Sequence, residues 1–182
     1  MKILLHICCA PCSIYPLEVL HERDFGVMGF FYRNNIHPYM ECRRREDTLI
    51  EYSEKTGLRV IYQEGYDLEG FLRSVVFRES DRCRFCYHDR LKTTAKLAKR
   101  GKFDYFTSTL LYSRHQNHEL IAEIGESAGK SEGVPFYYED FRKGWKTGVE
   151  KSRQMGLYRQ QYCGCIYSEK ERFYSGAGKK GG

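Results

Sequence analysis

The chain has 182 residues, is 41% hydrophobic and contains no Pro/Gly/Ser-rich linker, so it is long and apolar enough for one domain with a real core. It shows no charged leader before a long apolar segment and no apolar run of the roughly 18 residues that a membrane helix needs, which argues against secretion and membrane spanning and for a cytoplasmic location. The net charge of +6 is too modest to name a partner, while eight cysteines in a reducing compartment favour metal binding or redox chemistry over a disulfide framework.

In chain order, Ile3 to Ile7 is short, apolar and β-prone, and predicts a buried first strand. Cys8 and Cys9 fall at its carboxyl end, and Pro11 suits the first turn of a helix that starts near Cys12. Ile14, Leu17, Val19 and Leu20 repeat at helical spacing up to Arg23, with Gly26 as a stop. Val27 to Tyr32 predicts a second strand, Asn34, Asn35, His37 and Pro38 a loop, and Tyr39 to Lys55 a charged helix ending at Gly57. Arg59 to Tyr62 predicts a third strand. This order, with short connections, specifies an α/β fold of the Rossmann-like kind: a parallel sheet covered by helices, with the cysteines at the C-terminal ends of the strands.

Leu68 to Val76 predicts a short helix, and the C-x-x-C of Cys83 and Cys86 opens a longer one that runs to Gly101. A helix start lowers thiolate pKa and so suits ligation or nucleophilic attack. Tyr105 to Leu111 predicts a fourth strand with Ser113 to Gln116 at its end, Asn117 to Ala128 a helix, and Phe136 to Tyr138 a fifth strand. A helix over 145–155 then leads to the C-x-C of Cys163 and Cys165. Residues 1–174 are expected to form a single domain, and the Gly/Lys-rich Ser175 to Gly182 a disordered tail.

Seven of the eight cysteines stand in three tight groups, Cys8/Cys9/Cys12, Cys83/Cys86 and Cys163/Cys165; Cys42 is alone on a helix and reads as a small apolar residue. Either a structural zinc or an iron-sulfur cluster takes four thiolates, and a large core needs no zinc staple, so the cluster is favoured. The surplus thiols point to a second redox or metal site beside it. With Gly164 between them, Cys163 and Cys165 suit either further ligation or a strained, labile disulfide. The loop Cys8-Cys9-Ala10-Pro11-Cys12-Ser13 has no glycine for a phosphate to approach, which disfavours ATP chemistry. Basic groups, among them Arg43-Arg44-Arg45 and Arg142-Lys143 with Lys146, are interleaved with 15 tyrosines and 11 phenylalanines, a pattern that fits RNA as well as a solvated surface over an aromatic core.

The combination C-C-A-P-C-S (8–13), N-I-H-P (35–38), C-x-x-C-Y (83–87), S-T-L-L-Y-S (108–113), D-F-R-K (140–143) and Q-x-Y-C-G-C (160–165) resembles the cobalamin-independent epoxyqueuosine reductase family, QueH. The resemblance covers nearly the whole chain except the tail. It implies a HUP-like domain that reduces epoxyqueuosine to queuosine in the anticodon loop of tRNA, the last step of queuosine synthesis, with a 4Fe-4S cluster. One departure is Tyr32-Arg33-Asn34-Asn35-Ile36-His37-Pro38, against a family pattern closer to Y-N-P-N-I-H-P.

Turning an epoxide into an alkene consumes two electrons and two protons and releases water. The expected cluster ligands are Cys8, Cys9, Cys83 and Cys86, with Cys163 and Cys165 as a redox pair. A ferrous ion acting as Lewis acid on the epoxide oxygen competes with that pair, its candidate ligands being Cys12, Cys163, Cys165 and Asp140 or Asp81. Asp140, His37, Tyr87 and Tyr162 are candidate proton donors. Arg142, Lys143, Trp145 and Arg159 are candidate contacts to the tRNA, and an unidentified donor must supply electrons. Two rival classes remain: a zinc-stabilised RNA-binding module without catalysis, and a redox protein that uses disulfides alone.

Overall fold

In the computed structural model, which describes residues 1–174, the sheet is built outward from its first strand. Every residue of β1 (Lys2–Ile7) after Lys2 is buried, the pattern of a strand covered on both faces. Strands β2 (Gly26–Phe31), β3 (Val60–Tyr62) and β4 (Tyr105–Ser108) join it in the order β3-β2-β1-β4, all parallel. Leu4 of β1 stands opposite Met28 on one side and Phe106 on the other.

The chain moves outward from β1 to β3 and then returns to lay β4 on the far side of β1. Right-handed crossovers therefore place the intervening helices on opposite faces, and the reversal creates a switch point between β1 and β4. The helices are α1 (Ala10–Glu22), α2 (Tyr39–Thr56), α3 (Leu68–Val75), α4 (Arg82–Arg100), α5 (His118–Glu132), α6 (Trp145–Gln154) and α7 (Ile166–Phe173). Helix α1 packs on α6 and α2, and α4 on α5, β1 and β4. Proline at the first turn of α1 needs no backbone donor there, and α2 stops at Gly57, whose φ of 70° is the left-handed cap.

Two sequence expectations are corrected, and one helix is new. The fifth strand reduces to a single parallel bridge, Phe106 to Phe136, flanked by hydrogen bonds from Phe106 to Pro135 and from Tyr137 to Phe106. Strand β4 ends at Ser108, three residues before Leu111, because the Ser108 side chain accepts from the Leu110 N–H and caps a 3-10 turn over Thr109–Tyr112. Helix α7 was not expected at all; none of its residues is fully buried. The tail from Ser175 to Gly182 lies outside the described residues. No helix among them is long and apolar enough to cross a membrane.

Candidate metal centre

The end of β1 and the start of α1 bring three sulfurs together. Cys8 anchors its N–H on Thr109 Oγ1 at 3.2 Å, Cys9 caps α1 in extended conformation, and Cys12 returns one turn later onto the same end. The sulfurs of Cys8, Cys9 and Cys12 all lie within 4.8 Å of one another, and all three residues are buried. Those of Cys8 and Cys9 are 3.9 Å apart. Gln160 Nε2 donates to Cys12 Sγ at 3.1 Å, and Thr109 Oγ1 donates to Cys8 Sγ at 3.4 Å.

Hydrogen bonds from Cys12 and Cys9 pull the Cys8 thiol well below its ordinary pKa, against the opposing effect of burial and with help from Thr109. Cys9 is pushed up, first by burial and then by its two neighbours, and Cys12 is pushed up chiefly by its hydrogen bond to Cys8.

The other two groups approach from later elements. Cys86, in the first turns of α4, accepts from Asn35 Nδ2 and from Arg90 Nε, each at 3.2 Å. Cys163 Sγ accepts from Gln116 Nε2 at 3.1 Å, and its thiol is pushed up to about 12 by burial and then by Cys86. Cys83 is exposed and is raised by desolvation, Cys86 and Cys165; Cys165 is buried beside Phe71 and Val75. The C-x-x-C and C-x-C thiols are thus electrostatic neighbours, outside the tight triad. Cys42 is 1% exposed, and burial pushes its thiol up to about 11, as an inert core residue requires.

Backbone contacts hold the groups in place. Gly164, at φ 157°, passes its carbonyl to the His37 N–H at 2.7 Å, while the Tyr162 hydroxyl donates to the His37 carbonyl. Nε2–H of His37 donates to the Asn34 carbonyl at 2.7 Å, which leaves Nδ1 to accept from Ile166 N–H at 3.3 Å. Arg45 was read only as part of a basic group with Arg43 and Arg44. Instead its side chain is fully buried, paired with Glu41 at 2.7 Å and donating to the carbonyls of Cys163 and Tyr162 at 2.9 and 3.0 Å.

Asp140 grips Arg142 through two side-chain hydrogen bonds of 2.7 Å, and these hold its carboxyl down to about 2. It has no proton to give near neutral pH. Tyr87 donates to Gln116 Oε1 at 2.6 Å, and burial raises the hydroxyls of both Tyr87 and Tyr162. Burial lowers His37. Lys143 is exposed, as is Asp81 at the start of α4. Trp145 stacks on Tyr112 with ring centres 5.2 Å apart, and with Arg159, Gln160 and Cys12 the pair lines a cavity of about 60 Å³.

Sequence reasoning assigned no site role to Gln116, Gln160, Thr109, Asn35, Arg45 or Arg90, which touch or flank the sulfurs, although Asn35, Thr109 and Gln160 stand in the motifs quoted above. For Arg90 a signal exists: it lies four residues after Cys86 and on the face that Leu91, Thr94, Ala95 and Ala98 bury. An all-sulfur donor set suits iron or zinc. The buried guanidinium groups of Arg45 and Arg90 fit the negative charge that a metal-thiolate group would bring.

A parallel, doubly covered sheet with buried cysteines at its switch point defines a Rossmann-like α/β protein with a candidate thiol-based metal site. The fold is shared with a structure described as a predicted subunit of a tRNA methyltransferase from Methanocaldococcus jannaschii, at a TM-score of 0.57 and 9% identity over 84% of this chain and 74% of that one. The U34-tRNA thiolase NcsA from Methanococcus maripaludis, solved with its [4Fe-4S] cluster, aligns at a TM-score of 0.56 and 14% identity over 94% of this chain and 63% of that one. The family model for "Epoxyqueuosine reductase QueH" matches residues 3–171, and the chain belongs to that family. It is 38% identical over 94% of both chains to the epoxyqueuosine reductase QueH of Dehalococcoides mccartyi. Its identity to the Thermotoga maritima protein of the same name is 34%, covering 93% of this chain and 91% of that one.

Proposed function

We propose that this oxidoreductase reduces the epoxide of epoxyqueuosine in the anticodon loop of tRNA to the alkene of queuosine, in the cytoplasm, at a 4Fe-4S cluster held by Cys8, Cys9, Cys83 and Cys86. The buried thiol triad at the β1–β4 switch point, in a chain of this family, carries the reading. The reaction adds two electrons and two protons to the epoxide, breaks both carbon–oxygen bonds and releases the oxygen as water. The cluster would supply single electrons, replenished by an external donor.

The chain's own residues would do the rest. Gln116 and Gln160 orient Cys163 and Cys12 through the hydrogen bonds they donate to sulfur. Tyr87 and Tyr162 keep their protons at neutral pH and so have one to give, whereas Asp140 is held as a carboxylate. Arg142, Lys143, Trp145 and Arg159 would form the rim for the tRNA, whose modified base must leave its stack to reach buried thiols. Cys163 and Cys165 would act as the redox pair, so Cys163→Ser should abolish turnover and retain cluster absorbance; loss of the absorbance would make Cys163 a ligand instead.

One observation favours a second division of the thiols. Metal–sulfur bonds of about 2.3 Å put the sulfurs of one tetrahedral ion roughly 3.8 Å apart, close to the spacing within the Cys8/Cys9/Cys12 triad. On that reading the triad holds a single iron and the cluster falls to Cys83, Cys86, Cys163 and Cys165. Anaerobic reconstitution decides between them. More than four irons per chain with Cys12→Ser losing only one favours the single ion, and four or fewer removes it. Colourless protein with stoichiometric zinc would establish the non-catalytic module, and metal-free active protein the disulfide mechanism.

A further inference from the structure

Arg90 is 1% exposed, and its three hydrogen-bonded nitrogens meet only formally neutral acceptors. Nη1 donates to His6 Nε2 at 3.2 Å, Nη2 to the Asn35 carbonyl at 3.1 Å, and Nε to Cys86 Sγ at 3.2 Å. An arginine nitrogen is always a donor, so His6 accepts at Nε2 and spends its Nδ1–H on Ser108 Oγ at 2.8 Å. His6 is therefore a neutral prop for the guanidinium. Among the described residues, no ion pair includes Arg90.

A buried cation without a counter-charge is costly. Arg45, the other buried arginine, has Glu41; Arg90 has no carboxylate. The one sulfur it contacts is Cys86 Sγ, which as a metal ligand would be a thiolate. Asn35 braces the same spot, its side-chain Nδ2 donating to Cys86 Sγ while its backbone carbonyl accepts from Nη2.

We propose that Arg90 is the built-in counterion of the metal-thiolate centre: a positioning residue, aimed by His6 and Asn35, whose positive charge makes the added electron easier to hold. The inference rests on the proposed cluster and concerns this chain's charge balance rather than its ligand set. A fixed cation beside a cluster raises its reduction potential, and so does a hydrogen bond to a ligating sulfur. Arg90 offers both.

The test compares Arg90→Met and Arg90→Lys with the wild type, each reconstituted anaerobically with iron and sulfide. The wild type must first load iron and sulfide; if it does not, the proposed function fails and not merely this inference. In loaded protein, R90M should shift the one-electron equilibrium at least tenfold toward the oxidised form, equivalent to 59 mV. R90K, which keeps the charge, should stay within twofold of the wild type. Without metal, R90M should melt no lower than the wild type, because it removes an uncompensated charge, and loading should raise its melting temperature less. An unchanged potential in loaded R90M, an equal melting shift on loading, or a tenfold shift in R90K each overturns the counterion role. The R90K outcome stands even where R90M cannot be recovered folded.

Discussion

The backbone N–H of His37 donates to the carbonyl of Gly164 at 2.7 Å, and this bond joins the loop after β2 to the turn between Cys163 and Cys165. Gly164 sits at φ 157°, and a Cβ there would lie 3.1 Å from the Asn35 carbonyl, 3.5 Å from Arg45 Nη1 and 3.7 Å from Arg90 Nη2. Glycine is thus favoured twice over, for its backbone angle and for the close approach of the Asn35 carbonyl, the two guanidinium nitrogens lying at ordinary contact distance.

Gly164→Ala should destabilise the metal-free protein by about 1–3 kcal/mol, the usual cost of a strained backbone site. Because the strain falls between two cysteines, it should also lower iron content on reconstitution. Thermal unfolding and metal analysis of the same preparation check both. A variant with wild-type melting and full iron would show that the His37–Gly164 junction is dispensable.

The parts of the site that the chain announces in advance are local ones. The apolar run ending at Cys8-Cys9 with Pro11 after it, and the C-x-x-C at a helix start, each reveal their position through neighbours in sequence. What stayed hidden is non-local. Arg45 looks like one of three solvated arginines until Glu41 and the carbonyls of residues 162 and 163 surround it. Arg90 becomes part of the site only when β1 brings His6 against α4. The end of β4 depends on where the Ser108 hydroxyl turns, and the shortfall of the fifth strand depends on a single bridge to Phe136, neither of which an apolar pattern reports.

Cys12 and Cys42 offer a controlled contrast, since both are buried cysteines on helices. Cys42 touches no other sulfur, its thiol being 3.9 Å from the Arg33 carbonyl, whereas Cys12 lies within 4.8 Å of Cys8 and Cys9. Cys42→Ala should cost about 1 kcal/mol of stability and leave the iron content alone. Cys12→Ser should reduce iron content with little change in metal-free melting. Equal iron loss in both variants would contradict a centre built on the triad.

Asp140 sets a pH dependence whose sign follows from its depressed pKa. Arg142 holds the carboxyl at about 2, below its ordinary value of 3.8, so the unfolded chain binds a proton first as the pH falls. The stability this pair contributes is fully present above the ordinary value and is lost as the pH drops through 2. Asp140→Asn should therefore be less stable than the wild type at pH 6, and the gap should close between pH 4 and 2. Chemical denaturation across that range measures it, and a gap independent of pH would mean that the pair carries no charge-dependent stability.

Lys143 and Trp145 lie two residues apart but should answer differently to substitution. Lys143 is exposed and, among the described residues, forms no ion pair, so its charge is free to meet a phosphate. Trp145 is partly buried, stacked on Tyr112 at 5.2 Å with the Arg114 guanidinium 5.5 Å from its ring centre. Lys143→Ala should leave melting unchanged and reduce the salt slope of tRNA anticodon-loop binding by about 0.7, one phosphate contact on a single strand. Trp145→Ala should lower the melting temperature by uncovering Tyr112, with a stability loss of about 2–3 kcal/mol, below that of a fully buried ring. Titrations at several salt concentrations, paired with melting curves, separate the two. A salt slope unmoved by Lys143→Ala would take this edge out of the tRNA contact, and unchanged melting in Trp145→Ala would leave the indole free to stack on a base.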